Sequence, residues 1–161
     1  MLDLYKNVMG SYPTGVTIVT TMENDEPIGI TVNSFASVSL SPLLVLWSID
    51  KKSRSLNAFL DSEKFAVNIL SEQQEETCFL FSKSGINNEE RFSQTEWQRS
   101  DKNLPVMNHS YATLECENFQ QIEAGDHYIL IGKVVHVEKR DTKPILYYNR
   151  NVQPVIEHHH T

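Results

Sequence analysis

The sequence predicts a mainly β protein, an antiparallel barrel with short helices packed outside it. Three observations lead there. About seven segments are rich in β-branched and aromatic residues. Most are joined by connections of hairpin length, which suit antiparallel neighbours. Helical periodicity is confined to two or three short stretches.

The elements follow in order. Leu2, Tyr5, Val8, Met9 and Tyr12 fall on one side of a helix over residues 2–12, which Pro13 and Gly15 terminate. Val16 to Met22 is a β-branched strand, Glu23-Asn24-Asp25-Glu26 a polar hairpin turn, and Ile28 to Val32 a second strand. Ser34 to Leu40 alternates small polar and apolar residues, as a strand with one narrow polar face would. Leu43 to Ile49 is almost wholly apolar and is expected to be a central strand buried on both faces. Ser53 opens a helix reaching about Leu60, with Leu56, Phe59 and Leu60 as its core side. Phe65 to Leu70 reads as a strand and Glu72 to Ser82 as a helix. Residues 83–108 are polar and irregular, with Gly85, Asn87, Asn88 and Pro105, and read as a long surface excursion that serves function. Tyr111 to Ile122 and Tyr128 to Glu138 are long strands about the turn Glu123-Ala124-Gly125-Asp126, and Ile145 to Tyr148 is a short apolar piece. Residues 1–150 form one domain in this reading, and 151–161, with His158 to His160, a tail.

Composition narrows the function. The chain has 161 residues, with 14 Lys+Arg against 21 Asp+Glu, for a net charge of −7. That length buries about two-thirds of the unfolded surface, so neither disulfides nor a metal is required to fold it. The acidic balance disfavours nucleic acid, whose phosphates require a basic surface. No apolar run approaches the ~20 residues of a membrane helix, and the N-terminus lacks the pattern of a secretory signal. Two distant thiols, Cys78 and Cys116, are too few for a disulfide framework and fit a reducing cytoplasm.

Among motifs, absences come first. No metal-ligand spacing, nucleophile elbow, GxGxxG or phosphate-cradling Gly-Lys loop is present. Residues 31–54 stand out instead. Thr31-Val32-Asn33-Ser34-Phe35-Ala36-Ser37-Val38-Ser39 sets hydrogen-bonding and small residues along a strand. Trp47-Ser48-Ile49-Asp50-Lys51-Lys52-Ser53-Arg54 then concentrates three cations where a helix is expected to start. Each patch alone is ambiguous: the first fits a polar outer strand face, the second a solvated turn with a Ser cap. Together they match a mononucleotide-type pocket, with a polar wall for a heterocycle edge and a cationic site for its phosphate.

The ordered series of short motifs is similar to that of the flavin reductase-like family. It comprises Tyr12-Pro13-Thr14-Gly15-Val16-Thr17-Ile18-Val19-Thr20, the 31–40 run, Asp50-Lys51-Lys52-Ser53-Arg54, Phe65-Ala66-Val67-Asn68-Ile69-Leu70, Glu90-Arg91-Phe92, Leu114-Glu115-Cys116, Gly125-Asp126-His127 and Pro144-Ile145-Leu146-Tyr147-Tyr148. Departures are modest: Ser41-Pro42 stands where many members have two prolines, and Glu90 where Asp is usual.

The resemblance implies a split antiparallel β-barrel and an NAD(P)H:flavin oxidoreductase that passes hydride from NADH or NADPH to FMN or FAD. The reduced flavin would supply a partner flavin-dependent monooxygenase, and the protein would be a homodimer. Thr31, Val32, Asn33, Ser34, Ser37 and Val38 would line the flavin ring and ribityl chain, continued by Ser48, Ile49 and Asp50. Lys52, Ser53 and Arg54 would hold the flavin phosphate. Phe92 would pack beside the ring, with Arg91 structural or near the phosphate. His127 would stand at the nicotinamide as the catalytic candidate, and Pro13, Thr14, Gly15 and Tyr148 would border the dinucleotide. Each has a plainer reading: His127 as a strand-entry residue, Phe92 as core, Tyr148 as barrel closure, Arg91 as a partner of Glu89 or Glu90. The same fold would also serve a flavin-holding electron carrier or sensor without reductase activity. A pyridoxamine-phosphate-type oxidase would require a second basic cluster, and a plain interaction domain would leave both patches unexplained.

Overall fold

The computed structural model describes residues 1–157, so His158 to His160 lie outside the described residues. In chain order the elements are α1 (Leu2–Gly10), β1 (Thr17–Glu23), β2 (Glu26–Val32), β3 (Ala36–Leu40), β4 (Leu43–Asp50), α2 (Leu56–Asp61), β5 (Lys64–Ile69), α3 (Glu75–Ser82) and α4 (Asn88–Ser93), followed by β6 (Trp97–Arg99), β7 (Pro105–Met107), β8 (Ala112–Ala124), β9 (His127–Lys139), β10 (Ile145–Tyr148) and β11 (Asn151–Pro154). Seven strands form one antiparallel sheet in the order β2-β1-β5-β8-β9-β4-β3.

A distance argument shows why this sheet rolls up. Its two edges, β2 and β3, are consecutive in sequence and separated only by residues 33–35. Such a link reaches at most about 14 Å. Seven strands laid flat would put the edges about 29 Å apart. The sheet therefore curls until β2 approaches β4, leaving a seam between its edges. Ser34 stitches that seam, its Oγ accepting from Ser48 N at 3.0 Å.

Rolling creates the core. Val19, Ile28, Val45, Trp47, Ile49, Phe65, Val67, Cys116 and Leu130, from six strands, meet with Phe59 of α2 in one buried cluster. Trp47 packs edge-on against Phe59 at 4.9 Å and against Phe65 at 5.8 Å, across the barrel. A second cluster lies under α3 and α4 and joins Val16, Ile18, Leu70, Cys78, Phe81, Phe92, Met107 and Ile145. Between the clusters sits buried Asn68 with its amide saturated. Nδ2 donates to Ile18 O at 3.0 Å and to Thr20 Oγ1 at 3.3 Å, while Oδ1 accepts from Met107 N at 3.0 Å and Thr113 Oγ1 at 3.1 Å.

Turn chemistry follows the sequence. Asn24 and Asp25 both take left-handed conformations, φ 51° and 65°, as a two-residue hairpin demands.

Several expectations are corrected. β4 is not buried on both faces: Val45, Trp47 and Ile49 point inward, while the intervening residues are partly open, because a single rolled layer has one interior. The second helix starts at Leu56 rather than Ser53 and has only six residues. Asp50 to Ser53 is spent on a tight turn, with Ser53 N donating to Asp50 O and Lys52 N to Asp50 Oδ1 at 2.8 Å. Residues 83–108 are ordered, containing α4, β6 and β7, with Leu104, Val106 and Met107 buried. Residues 151–154, read as the start of a tail, form β11 against β10. α1 forms as expected, but its apolar face is uncovered, with Leu2, Leu4, Tyr5, Val8 and Met9 exposed.

Candidate functional site

A cleft of about 600 Å³ opens beside the seam. Its floor is Ile28 to Thr31 of β2. One wall is Ser53, Arg54, Ser55 and Ala58; the other is Lys83 to Asn88 with Arg91. Gly29 makes this geometry possible. A Cβ there would stand 2.8 Å from the Phe81 ring, so only a residue without a side chain lets α3 lie so close. Two hydrogen bonds hold the far wall to the floor: Thr31 Oγ1 donates to Cys78 O at 3.0 Å, and Gly29 N donates to Asn88 Oδ1 at 3.3 Å. Asn87 caps α4, its Oδ1 accepting from Glu90 N at 2.8 Å.

The cleft is cationic in an acidic chain. Arg54, Lys83 and Arg91 reach it from three elements, against one lining carboxylate, Glu23. Arg91 is the most informative of them. Its Nη2 donates to Lys83 O at 2.7 Å, while its Nε is buried without a partner. Burial pulls the Arg91 pKa below its ordinary value, though a guanidinium stays charged at neutral pH. The Nε lies inside the wall, so it is the positive charge of the guanidinium, and not this N–H, that Arg91 offers to an anion in the cleft.

Of the residues singled out from sequence, Thr31, Ser53, Arg54 and Arg91 line this cleft. The others distribute along the seam and its surroundings. Val32 pairs with Thr17, whose hydroxyl donates to Val32 O at 3.1 Å. Asn33 is exposed at the link, and Ser34 and Ser48 are tied to each other. Ser37 and Val38 lie exposed on the edge strand β3 at a bulge. Ile49 is only 1% exposed, so its side chain belongs to the core and only its backbone can face a ligand. Asp50 is opposite His127 in the β4–β9 register. His127 Nδ1 bonds Asp126 Oδ1 at 2.7 Å, and that bond holds the Asp126 carboxyl below its usual range.

The basic run divides. Lys51 turns away to pair with Glu123 and lies 5.6 Å from the Tyr128 ring centre, while Lys52 is exposed. Ser53 Oγ accepts from Ser55 N at 3.2 Å, capping a turn rather than a helix. Thr14 and Tyr147 exchange backbone hydrogen bonds of 2.9 and 2.7 Å, which sets Pro13, Thr14 and Gly15 beside Tyr148. Phe92 is corrected outright. It is 4% exposed and packs edge-on to Phe81 at 5.1 Å and Trp97 at 5.2 Å, so it supports the cleft wall from behind. Sequence reasoning missed Gly29, Lys83 and Asn88. No spacing rule links residues 29 and 88; only the placement of α4 on β2 does.

A rolled antiparallel sheet with a cationic cleft beside its seam defines a barrel-like β domain whose cleft has the charge to suit an anion. The chain belongs to the flavin reductase-like domain family, whose model matches residues 9–155. It is 39% identical over 143 residues to the FMN reductase (NADH) SmoA of Agrobacterium fabrum, covering 89% of this chain and 80% of that protein. It is 37% identical over 145 residues to the reductase subunit HsaB of a flavin-dependent monooxygenase of Rhodococcus jostii, covering 89% and 73%. Its fold matches the NADH:FAD oxidoreductase SgcE6 of Streptomyces globisporus, solved with NAD and FAD fragments. The TM-score there is 0.90 at 30% identity, over 96% of this chain and 93% of that one.

Proposed function

We propose that this protein is an NAD(P)H:flavin oxidoreductase that reduces FMN or FAD with NADH or NADPH and delivers the reduced flavin to a partner flavin-dependent monooxygenase. Kinship to SmoA and HsaB supports the reaction class. The observation that carries the site is the cleft lined together by Arg54, Lys83 and Arg91. It fits a flavin phosphate: charge is opposite, and the hydroxyls of Ser53 and Ser55 stand on the wall beside Arg54.

In this reading the phosphate clamp is Arg54 with Lys83 and Arg91, and Lys52 adds long-range attraction from its exposed position. Val32, Asn33, Ser34, Ser37 and Val38, with Ser48 to Asp50, offer backbone and side-chain groups along the seam to the edge of the ring. When bound, the flavin supplies the hydride-accepting chemistry, and the chain supplies orientation and charge. No strong acid or base is then required of the protein. His127, next to Asp50 and oriented by Asp126, positions the nicotinamide or moves a proton at its ring nitrogen. Pro13, Thr14, Gly15 and Tyr148 border the dinucleotide.

Uncovered Leu2, Leu4, Tyr5, Val8 and Met9 on α1 support a homodimer, in which a second copy covers them. Sedimentation would read a species of twice the chain mass. No helix of the described residues is long and apolar enough to cross a membrane. The two buried, unpaired thiols support a cytoplasmic location.

The test is a steady-state assay crossing NADH and NADPH with FMN, FAD and riboflavin. Nicotinamide oxidation that depends on added flavin is the expected result. Flavin that binds but is never reduced would identify a carrier or sensor and defeat the proposal.

A further inference from the structure

A second groove lies directly beside the cationic cleft. It runs between α3 and α4 with a volume of about 490 Å³ and is lined by Phe79, Leu80, Lys83, Ile86, Glu90 and Gln94, among others. Lys83 and Ile86 line both depressions, so the α3–α4 connection is a sill shared between them. Phe79 is 50% exposed, whereas Cys78 and Phe81 on the same helix turn into the core. Packing therefore gives no account of an aromatic residue at this position.

Lys83 caps α3 just past its last residue, its backbone N–H bonded to Phe79 O one turn earlier, and both residues line the groove. An open aromatic ring one turn from a cation matches a nucleoside tethered to phosphate, with the base on the ring and the phosphate at the sill. The Gln94 amide and Glu90 carboxylate supply a donor and acceptors for the base's exocyclic amine and the ribose hydroxyls.

Resting on the flavin reading above, we propose that this groove takes the adenosine half of FAD, so that the dinucleotide flavin is preferred over FMN. The riboflavin half lies in the cleft and the pyrophosphate crosses the sill at Lys83. A nicotinamide dinucleotide carries the same adenosine diphosphate. The assignment to the flavin follows from continuity with the cleft that holds Arg54 and Arg91.

The test titrates the purified chain with FAD, FMN and riboflavin separately, by quenching of flavin fluorescence, and repeats the series with Phe79→Ala and Phe79→Trp. The unaltered protein is expected to bind FAD about tenfold more tightly than FMN, a decade that one stacked base readily supplies. Phe79→Ala should bring the ratio to about one without moving FMN affinity, and Phe79→Trp should keep it. Equal affinities in the unaltered protein, or a preference that survives Phe79→Ala, overturns the groove assignment and leaves the flavin reading intact. Failure of every flavin to bind overturns both. A change confined to the KM for NADH, measured with FMN as acceptor, gives the groove to the nicotinamide's adenosine and overturns the proposal.

Discussion

Gly29→Ala tests how the core sets the cleft. The new Cβ would stand 2.8 and 3.0 Å from two Phe81 ring carbons and 3.2 Å from Phe92 Cζ. Ordinary carbon contacts begin near 3.5 Å, so Phe81 must retreat by about 0.7 Å. It has nowhere to go. Phe81 is 2% exposed and backed by Phe92 at 5.1 Å, which is backed by Trp97 at 5.2 Å. Overpacking of this kind costs about 1–3 kcal/mol. For a chain of this length, that lowers Tm by about 3–10 °C. The retreat would also carry α3 and α4 outward, lengthening the Asn88–Gly29 hydrogen bond and displacing Arg91. Calorimetry should therefore show the loss of stability, and flavin titration a weaker affinity. Adding Phe81→Leu should restore both, since it removes the ring the Cβ strikes. An unchanged Tm with unchanged flavin affinity would refute the reasoning that Gly29 sets the distance of the wall.

Other outcomes follow from the same contacts. Arg91→Met should raise the apparent KM for flavin about ten- to hundredfold, the worth of a charge-assisted hydrogen bond, beyond the modest Tm loss from its bond to Lys83 O; Arg54→Ala should also raise it, and flavin kinetics unmoved in both would remove the phosphate assignment. Asn68→Leu should cost about 2–4 kcal/mol in denaturant unfolding, because it orphans Met107 N and other buried groups that now share one amide. Burial pushes the Cys78 thiol up to about 11 and Cys116 to about 12, from an ordinary 9.0. The unfolded chain then releases these protons first, so their contribution to stability is full below pH 9.0 and declines from there toward pH 11 or 12. Comparison of Tm across that window with the Cys78→Ala variant isolates the effect. Neither thiol should be alkylated in the native protein at pH 8, and rapid labelling would contradict their burial.

Much of the architecture was legible in one dimension. Asn24-Asp25 and Gly125 announced tight hairpins because few residues tolerate left-handed backbone there. β-branched runs marked the strands, and Thr31, Ser53 and Arg54 stood in two patches that were ambiguous singly and pointed to a pocket only together. The errors share a cause. Leu43 to Ile49 looked buried on both faces because apolar content does not say how many layers will cover a strand. Ser53 looked like a helix cap because a Ser before an apolar stretch can also cap a turn. Phe92 looked available to a ring because an aromatic side chain carries no mark of which way it faces.

By itself, then, the sequence determined the seven strands of the main sheet, the hairpin pairing and a family of short motifs, since these rest on local conformational preference and order along the chain. Only the tertiary structure decided that a three-residue link rolls the sheet, that Gly29 admits α3, and that Lys83 and Arg91 come to face Arg54. Those choices depend on distances between residues far apart in the chain, and no local preference records them.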